Sequence, residues 1–149
     1  MEFRKAIRAD LDALVENRID FITSLRAIPD PEALRQSTRR YLQEHLEDGT
    51  LLCWLCTEDG KIRSSCLMCL YQTIPSPSAP NGKCGLLLNV YTLKEYRRQG
   101  LARELLTRIL EQARSLGVTK VHLNATEDGR PLYESLGFAP LEEEMILKL

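Results

Sequence analysis

No run of apolar residues in this chain approaches the ~18 that a membrane span requires; the longest, Leu51–Cys56 and Cys66–Tyr71, are short. A signal core is missing too, because Met1-Glu2-Phe3-Arg4-Lys5 leads directly into a charged amphipathic stretch. Neither charge is in excess: 20 Lys and Arg face 21 Asp and Glu, for a formal net charge of −1. A general nucleic-acid binder carries a basic surplus, so nucleic acid is not an expected partner, nor is a membrane. These absences point to the cytoplasm. Low-complexity and collagen-like patterns are also lacking. Apolar residues make up 44% and charged residues 28%, the balance of a globular chain with enough material for a core. At 149 residues the length suits one domain spanning 1–149.

Five cysteines, an odd number, do not read as a secreted disulfide framework. Cys53-x2-Cys56 and Cys66-x2-Cys69 resemble a zinc ribbon on paper, yet neither pair contains the Gly or Pro that folds a knuckle around one metal. Both lie in strand-like apolar runs, where residues three apart point to opposite faces. The cysteines are expected as small core residues, with no metal.

Periodicity and turn chemistry divide the chain. Phe3–Arg8 reads as a strand, with Asp10 as N-cap of a helix whose Leu11, Leu14, Val15, Ile19, Ile22 and Leu25 recur at helical spacing. Asp30 caps a second helix with Pro31 in its first position, carrying Leu34, Tyr41, Leu42 and Leu46 and stopping near Gly49. Leu51–Thr57 and Lys61–Gln72 form strands around an Asp59-Gly60 hairpin turn. Pro75, Pro77, Pro80 and Asn81-Gly82 make 74–85 a loop, placed to cover a site or simply to connect. Leu86–Thr92 is an apolar central strand, Gly100–Ser115 a strong helix, Val118–Ala125 a strand, Gly129–Leu136 a short helix and Glu143–Leu149 a last strand. The order β-α-α-β-β-β-α-β-α-β predicts one mixed α/β domain.

Arg97-Arg98-Gln99-Gly100-Leu101-Ala102 lies between the central strand and the strong helix. A helix start exposes unpaired N–H groups and the positive end of the dipole. Gly100 allows close backbone approach, and Ala102 is small. From Lys94 to Arg103, four cations stand against one anion, a local charge of +3, which favours a polyanion such as a pyrophosphate.

This segment resembles the Arg/Gln-x-x-Gly-x-Gly/Ala signature of the GNAT superfamily of N-acetyltransferases. Asn89-Val90-Tyr91-Thr92 before it, Pro131-Leu132-Tyr133-Glu134-Ser135-Leu136-Gly137-Phe138 after it, and the opening Phe3–Leu11 agree with that family. The resemblance covers essentially the whole chain and implies a GNAT-like fold whose central strands splay around acetyl-CoA, the co-substrate. It implies further that backbone N–H groups of Arg98, Gln99, Gly100, Leu101 and Ala102 hold the pyrophosphate, with Arg97 supporting the loop. Val90 and Thr92 would pair with the pantetheine arm, an N–H near Val90 would stabilise the oxyanion, and Tyr133 would protonate the departing thiolate. Two positions depart from the pattern: Lys94 stands where many members have Pro, and Thr126 where many have Asn before the short helix. Neither touches the donor chemistry.

The acceptor, a small-molecule or peptide amine, is less legible. His122 and Asn124 share one face of their strand and Asn89 lies on its neighbour, so these three are the candidates for lining the cleft. His122 reads as a base or relay, or as a structural histidine; His45 and the run Glu142-Glu143-Glu144 are weaker candidates. The leading expectation is an acetyl-CoA-dependent N-acetyltransferase. The alternative is a catalytically weak GNAT-like module that binds acyl-CoA or a partner. The family also implies a homodimer.

Overall fold

The computed structural model describes residues 1–149. Its sheet is organised by the turn at Asp59 and Gly60, both left-handed with φ 53° and 71°, the geometry that lets a two-residue turn follow strand twist. The strands are numbered in chain order from β1 (Glu2–Lys5), which pairs with β2 (Leu51–Glu58). The Asp59-Gly60 turn joins β2 to β3 (Lys61–Gln72), with Leu51 opposite Cys69 and Trp54 opposite Cys66. On its other side β3 pairs antiparallel with β4 (Lys83–Leu87) and with the short β5 (Tyr91–Thr92). β6 (Lys120–Leu123) runs parallel to β4 and ends the sheet.

Strand parity divides the core. Leu51, Cys53, Leu55 and Leu67 pack with Leu14, Val15 and Leu42 from α1 (Leu11–Leu25) and α2 (Pro31–His45). Leu52, Cys56, Cys66, Met68 and Leu87 pack on the opposite face against Leu101, Leu105, Leu106 and Ile109 of α3 (Leu101–Ser115). Burying each such leucine contributes roughly 1.5–3 kcal/mol. Cys53 and Cys56 thus belong to opposite faces, and no group of three or more His, Cys, Asp or Glu is placed to hold a metal ion. No helix is long and apolar enough to cross a membrane.

Asp30 caps α2 by accepting from the Ala33 N–H at 3.0 Å. Asp10 does not cap α1. Its carboxylate instead receives both Arg4 guanidinium nitrogens, at 2.7 and 2.8 Å, and the Ile7 N–H, tying β1 to the helix.

Several expected elements differ. The strand expected over 86–92 breaks after Leu87 and resumes at Tyr91. Glu143–Leu149 forms no strand: no backbone hydrogen bond involves these residues, and Met145 and Ile146 are 95% and 85% exposed. The outer edge of β6, which such a strand would need as a template, has no partner. The proline-rich loop is shorter than 74–85, because Gln72 and Tyr71 already pair with Lys83 and Cys84. It also turns away from the C-terminal ends of β4 and β6, for the Asn81 carboxamide donates to the Gly117 carbonyl at 2.7 Å, just past α3.

Candidate active site

β4 and β6 pair through Leu87 and Leu123 and no further. Met68 lies opposite Leu87 and Ser65 opposite Tyr91, which leaves one extra residue on the β4–β5 side. That bulge bends the chain away from β6. Leu88 still donates to Leu67, but the amides of Asn89 and Val90 have no acceptor in the chain. Free backbone donors beside the gap are therefore those of Asn89 and Val90, whereas the carbonyls of Leu88 and Thr92 already accept from Arg18 and Arg97.

α1 holds the bulge from beside. The Asn17 carbonyl oxygen accepts from the Ser65 hydroxyl at 2.6 Å and from the Asn89 amide at 3.3 Å, and Asn89 also donates to Ser65 at 2.8 Å. Asn17, Ser65 and Asn89 are all buried. Arg18 donates through one nitrogen to the Leu88 carbonyl at 3.1 Å and to the Asn89 side chain at 3.3 Å.

The gap opens into a cavity of about 360 Å³. Leu87, Leu88 and Val90 line one side, Leu123, Asn124 and Ala125 the other, and α1 contributes Arg18, Phe21, Ile22 and Leu25, with Arg26 just after it. Tyr133, on α4 (Arg130–Ser135), completes the wall. Burial, with a smaller contribution from Cys66, pushes the Tyr133 hydroxyl up to about 12. The Thr126 hydroxyl accepts from the Gly129 N–H at 3.2 Å and its carbonyl from Arg130, starting α4 as the sequence suggests.

Beyond β5, the Arg97 side chain donates to the Thr92 carbonyl at 3.1 Å. Arg98 and Gly100 are both left-handed, φ 61° and 77°; the first is unusual for a residue with a side chain. This path turns the chain into α3 with its amides unsatisfied: none from Arg98 to Arg103 finds an acceptor in the protein. A Cβ on Gly100 would meet nothing within 4 Å, so open space adjoins the amides. Unpaired N–H groups, the helix dipole and surrounding cations form an anion cradle.

The Acetyltransferase (GNAT) family model matches residues 19–138. The chain belongs to the GNAT acetyltransferase family. Its fold is shared by a predicted acetyltransferase with acetyl-CoA from Clostridium acetobutylicum, at TM-score 0.91 and 26% identity over 99% of this chain and 95% of that one. A GCN5-related N-acetyltransferase from Ralstonia eutropha JMP134 gives 0.90 and 27%, over 99% and 97%. The glucosamine 6-phosphate N-acetyltransferase of Trypanosoma brucei brucei is 38% identical over 65 residues. That stretch covers 44% of this chain and 44% of the relative, under half of each.

Within this GNAT domain, Val90, Asn124 and Tyr133 come together at the cavity, while Arg98 to Ala102 form the cradle at the start of α3. Asn89 does not line the cavity; its side chain is spent on internal bonds. His122 is also outside it, bonded through Nε2 to the Tyr71 hydroxyl with the rings edge-on at 5.7 Å. His45 bonds to Asp48 and Thr50 near the end of α2. Sequence reading missed Asn17, Arg18, Ser65 and Gly129. One signal was available, since Arg18 stands on the apolar stripe of α1, three residues after Val15 and four before Ile22.

Proposed function

We propose that the protein is an N-acetyltransferase that moves the acetyl group of acetyl-CoA to a primary amine by direct attack. The observation that carries this reading is the unbroken run of unengaged amides from Arg98 to Arg103. Those of Arg98, Gln99, Gly100, Leu101 and Ala102 hold the diphosphate, and Arg97 keeps the loop on β5. The segment through Val90 and Thr92 takes the pantetheine arm as an added strand. Acetyl-CoA supplies the thioester.

The N–H groups of Asn89 and Val90 have no internal acceptor and sit where negative charge develops on the thioester oxygen. Donors fixed in advance stabilise that charge without reorganising, and losing one typically costs about 10²–10³ in rate. Tyr133, held protonated by burial, gives its proton to the departing sulfur. Asn124, on the cavity wall, binds the acceptor, whereas Asn89 and His122, bonded to Asn17, Ser65 and Tyr71, lie outside the cavity. The attacking nitrogen must be unprotonated. No Asp, Glu or His lines the cavity, so the amine loses its proton to water before attack.

Titration of acetyl-CoA in a calorimeter, followed by thiol release across an amine panel, tests this reading. Heat and amine-dependent thiol are expected; no heat ends it. The missing base favours one other reading, a catalytically weak GNAT-like module that binds acyl-CoA or a partner. Heat without amine-dependent thiol would select the module.

The reading includes a homodimer. Exposed Leu141, Met145, Ile146, Leu147 and Leu149, and a sheet that ends at an unpaired β6 edge, support pairing with a second copy.

A further inference from the structure

The cavity wall carries two charged side chains, Arg18 and Arg26, and no acidic one. It is a positive site in a chain whose formal charge is −1. Neither arginine forms an ion pair within the protein. Arg18 is half-buried, and burial draws its guanidinium below the ordinary value, with only Cys69 opposing. Its two hydrogen bonds use a single terminal nitrogen, Nη1, and both go to neutral oxygens. Nε and Nη2 remain without partners. Arg26, the exposed residue that follows α1, makes no side-chain bond.

A guanidinium that is partly desolvated and unneutralised is costly to keep. An anion brought by a ligand offsets that cost, and the planar fork of donors suits a carboxylate or a phosphate. The coenzyme's own diphosphate is a poor candidate. The cradle begins α3, which packs on one face of the sheet, whereas Arg18 belongs to the helix packed on the other and Arg26 directly follows it.

We propose that the acceptor amine carries an anionic group, a carboxylate or a phosphate, bound by Arg26 and the free side of Arg18. The proposal rests on the acetyltransferase reading for the amine, but the anion site is testable without turnover. Matched pairs separate the two anions: an amino acid against its amide, and an amino sugar phosphate against the unphosphorylated sugar.

Calorimetric binding of each pair to the protein, with and without CoA, should favour an anionic member by about tenfold or more, as charge-assisted bonds do. Arg26→Gln should remove that preference while leaving acetyl-CoA affinity unchanged, and Arg26→Lys should restore part of it. In turnover the anionic amine should show the lower KM. Equal or tighter binding of the neutral members overturns the proposal. So does a loss of acetyl-CoA affinity in Arg26→Gln, which would assign the arginine to the donor. If anionic amines bind through Arg26 but acetyl-CoA gives no heat and no amine releases thiol, the anion site stands and the acetyltransferase reading falls.

Discussion

Gly129 leaves the space that the Tyr133 ring occupies: a Cβ at 129 would lie 2.8 Å from Cε2 of the tyrosine and 3.3 Å from the Thr126 hydroxyl. Gly129 stands at the N-cap of α4, four residues before the tyrosine. The ring lies close over this glycine, and Phe138 meets it edge-on at 5.9 Å.

Two substitutions separate the hydroxyl from its placement. Tyr133→Phe should lower kcat about 10²-fold, the usual scale for a general acid, with acetyl-CoA affinity nearly unchanged. Gly129→Ala keeps the hydroxyl but pushes the ring, so kcat should fall by less and a structure of the variant should show the ring displaced. Unchanged turnover in Tyr133→Phe removes the residue from the reaction.

The pH dependence follows from the same burial. A raised tyrosine pKa favours the neutral, proton-bearing form, and that form is lost only as pH climbs through about 12. Tyr133 therefore imposes no alkaline limb in the working range. The rate should instead rise about tenfold per pH unit below the acceptor's own pKa and then level, because only the free amine attacks. A bell with a falling limb below about pH 9 would contradict a protonated-tyrosine donor whose pKa has been raised above the ordinary ~10.

Gly100 is needed twice over, for its φ of +77° and for the open space beside it. A residue with a Cβ pays roughly 1–2 kcal/mol to sit in left-handed backbone. Gly100→Glu should abolish measurable acetyl-CoA binding by filling the cradle and repelling the diphosphate. Gly100→Asn, which tolerates that backbone, should keep the fold and lose affinity more modestly. Calorimetry on both variants decides, and retained affinity in Gly100→Glu would place the coenzyme elsewhere.

Much of this architecture was legible in the residues. The Asp59-Gly60 turn, the Asp30-Pro31 helix start and the glycine opening α3 each announce their conformation through local chemistry. What pattern alone cannot show is a long-range event. Leu86–Thr92 reads as one apolar strand because a bulge leaves composition unchanged; only the slip between Met68↔Leu87 and Ser65↔Tyr91 reveals it. Asn89 is expected in the cleft because it lies on the strand next to His122 and Asn124, but within the bulged segment its side chain points inward onto Asn17 and Ser65. Glu143–Leu149 is likewise expected as a strand, yet a strand needs an edge to pair with, and none in this chain receives it.

The buried trio predicts a stability effect coupled to function. Ser65→Ala removes a hydroxyl that donates to Asn17 and accepts from Asn89, leaving buried polar groups short of partners at about 1–3 kcal/mol. Thermal unfolding should show the lower Tm, and kcat should fall because Asn89 and Val90 are no longer held rigidly. Stability lost with kcat intact would make the trio purely structural.

The C-terminal segment offers the last test. Met145, Ile146, Leu147 and Leu149 are all exposed, and the sheet ends at β6, whose outer edge is unpaired. An unpaired edge and an exposed apolar segment in the same chain favour association between copies. Light scattering should report a dimer for the full chain and a monomer after deletion of 142–149. Deletion should leave the far-ultraviolet spectrum nearly intact, since no backbone hydrogen bond of the core depends on those residues. A substitution that blocks pairing without shortening the chain, Leu147→Pro, should act in the same direction because proline removes a ladder donor. A full-length monomer would end the homodimer reading and leave the donor site untouched.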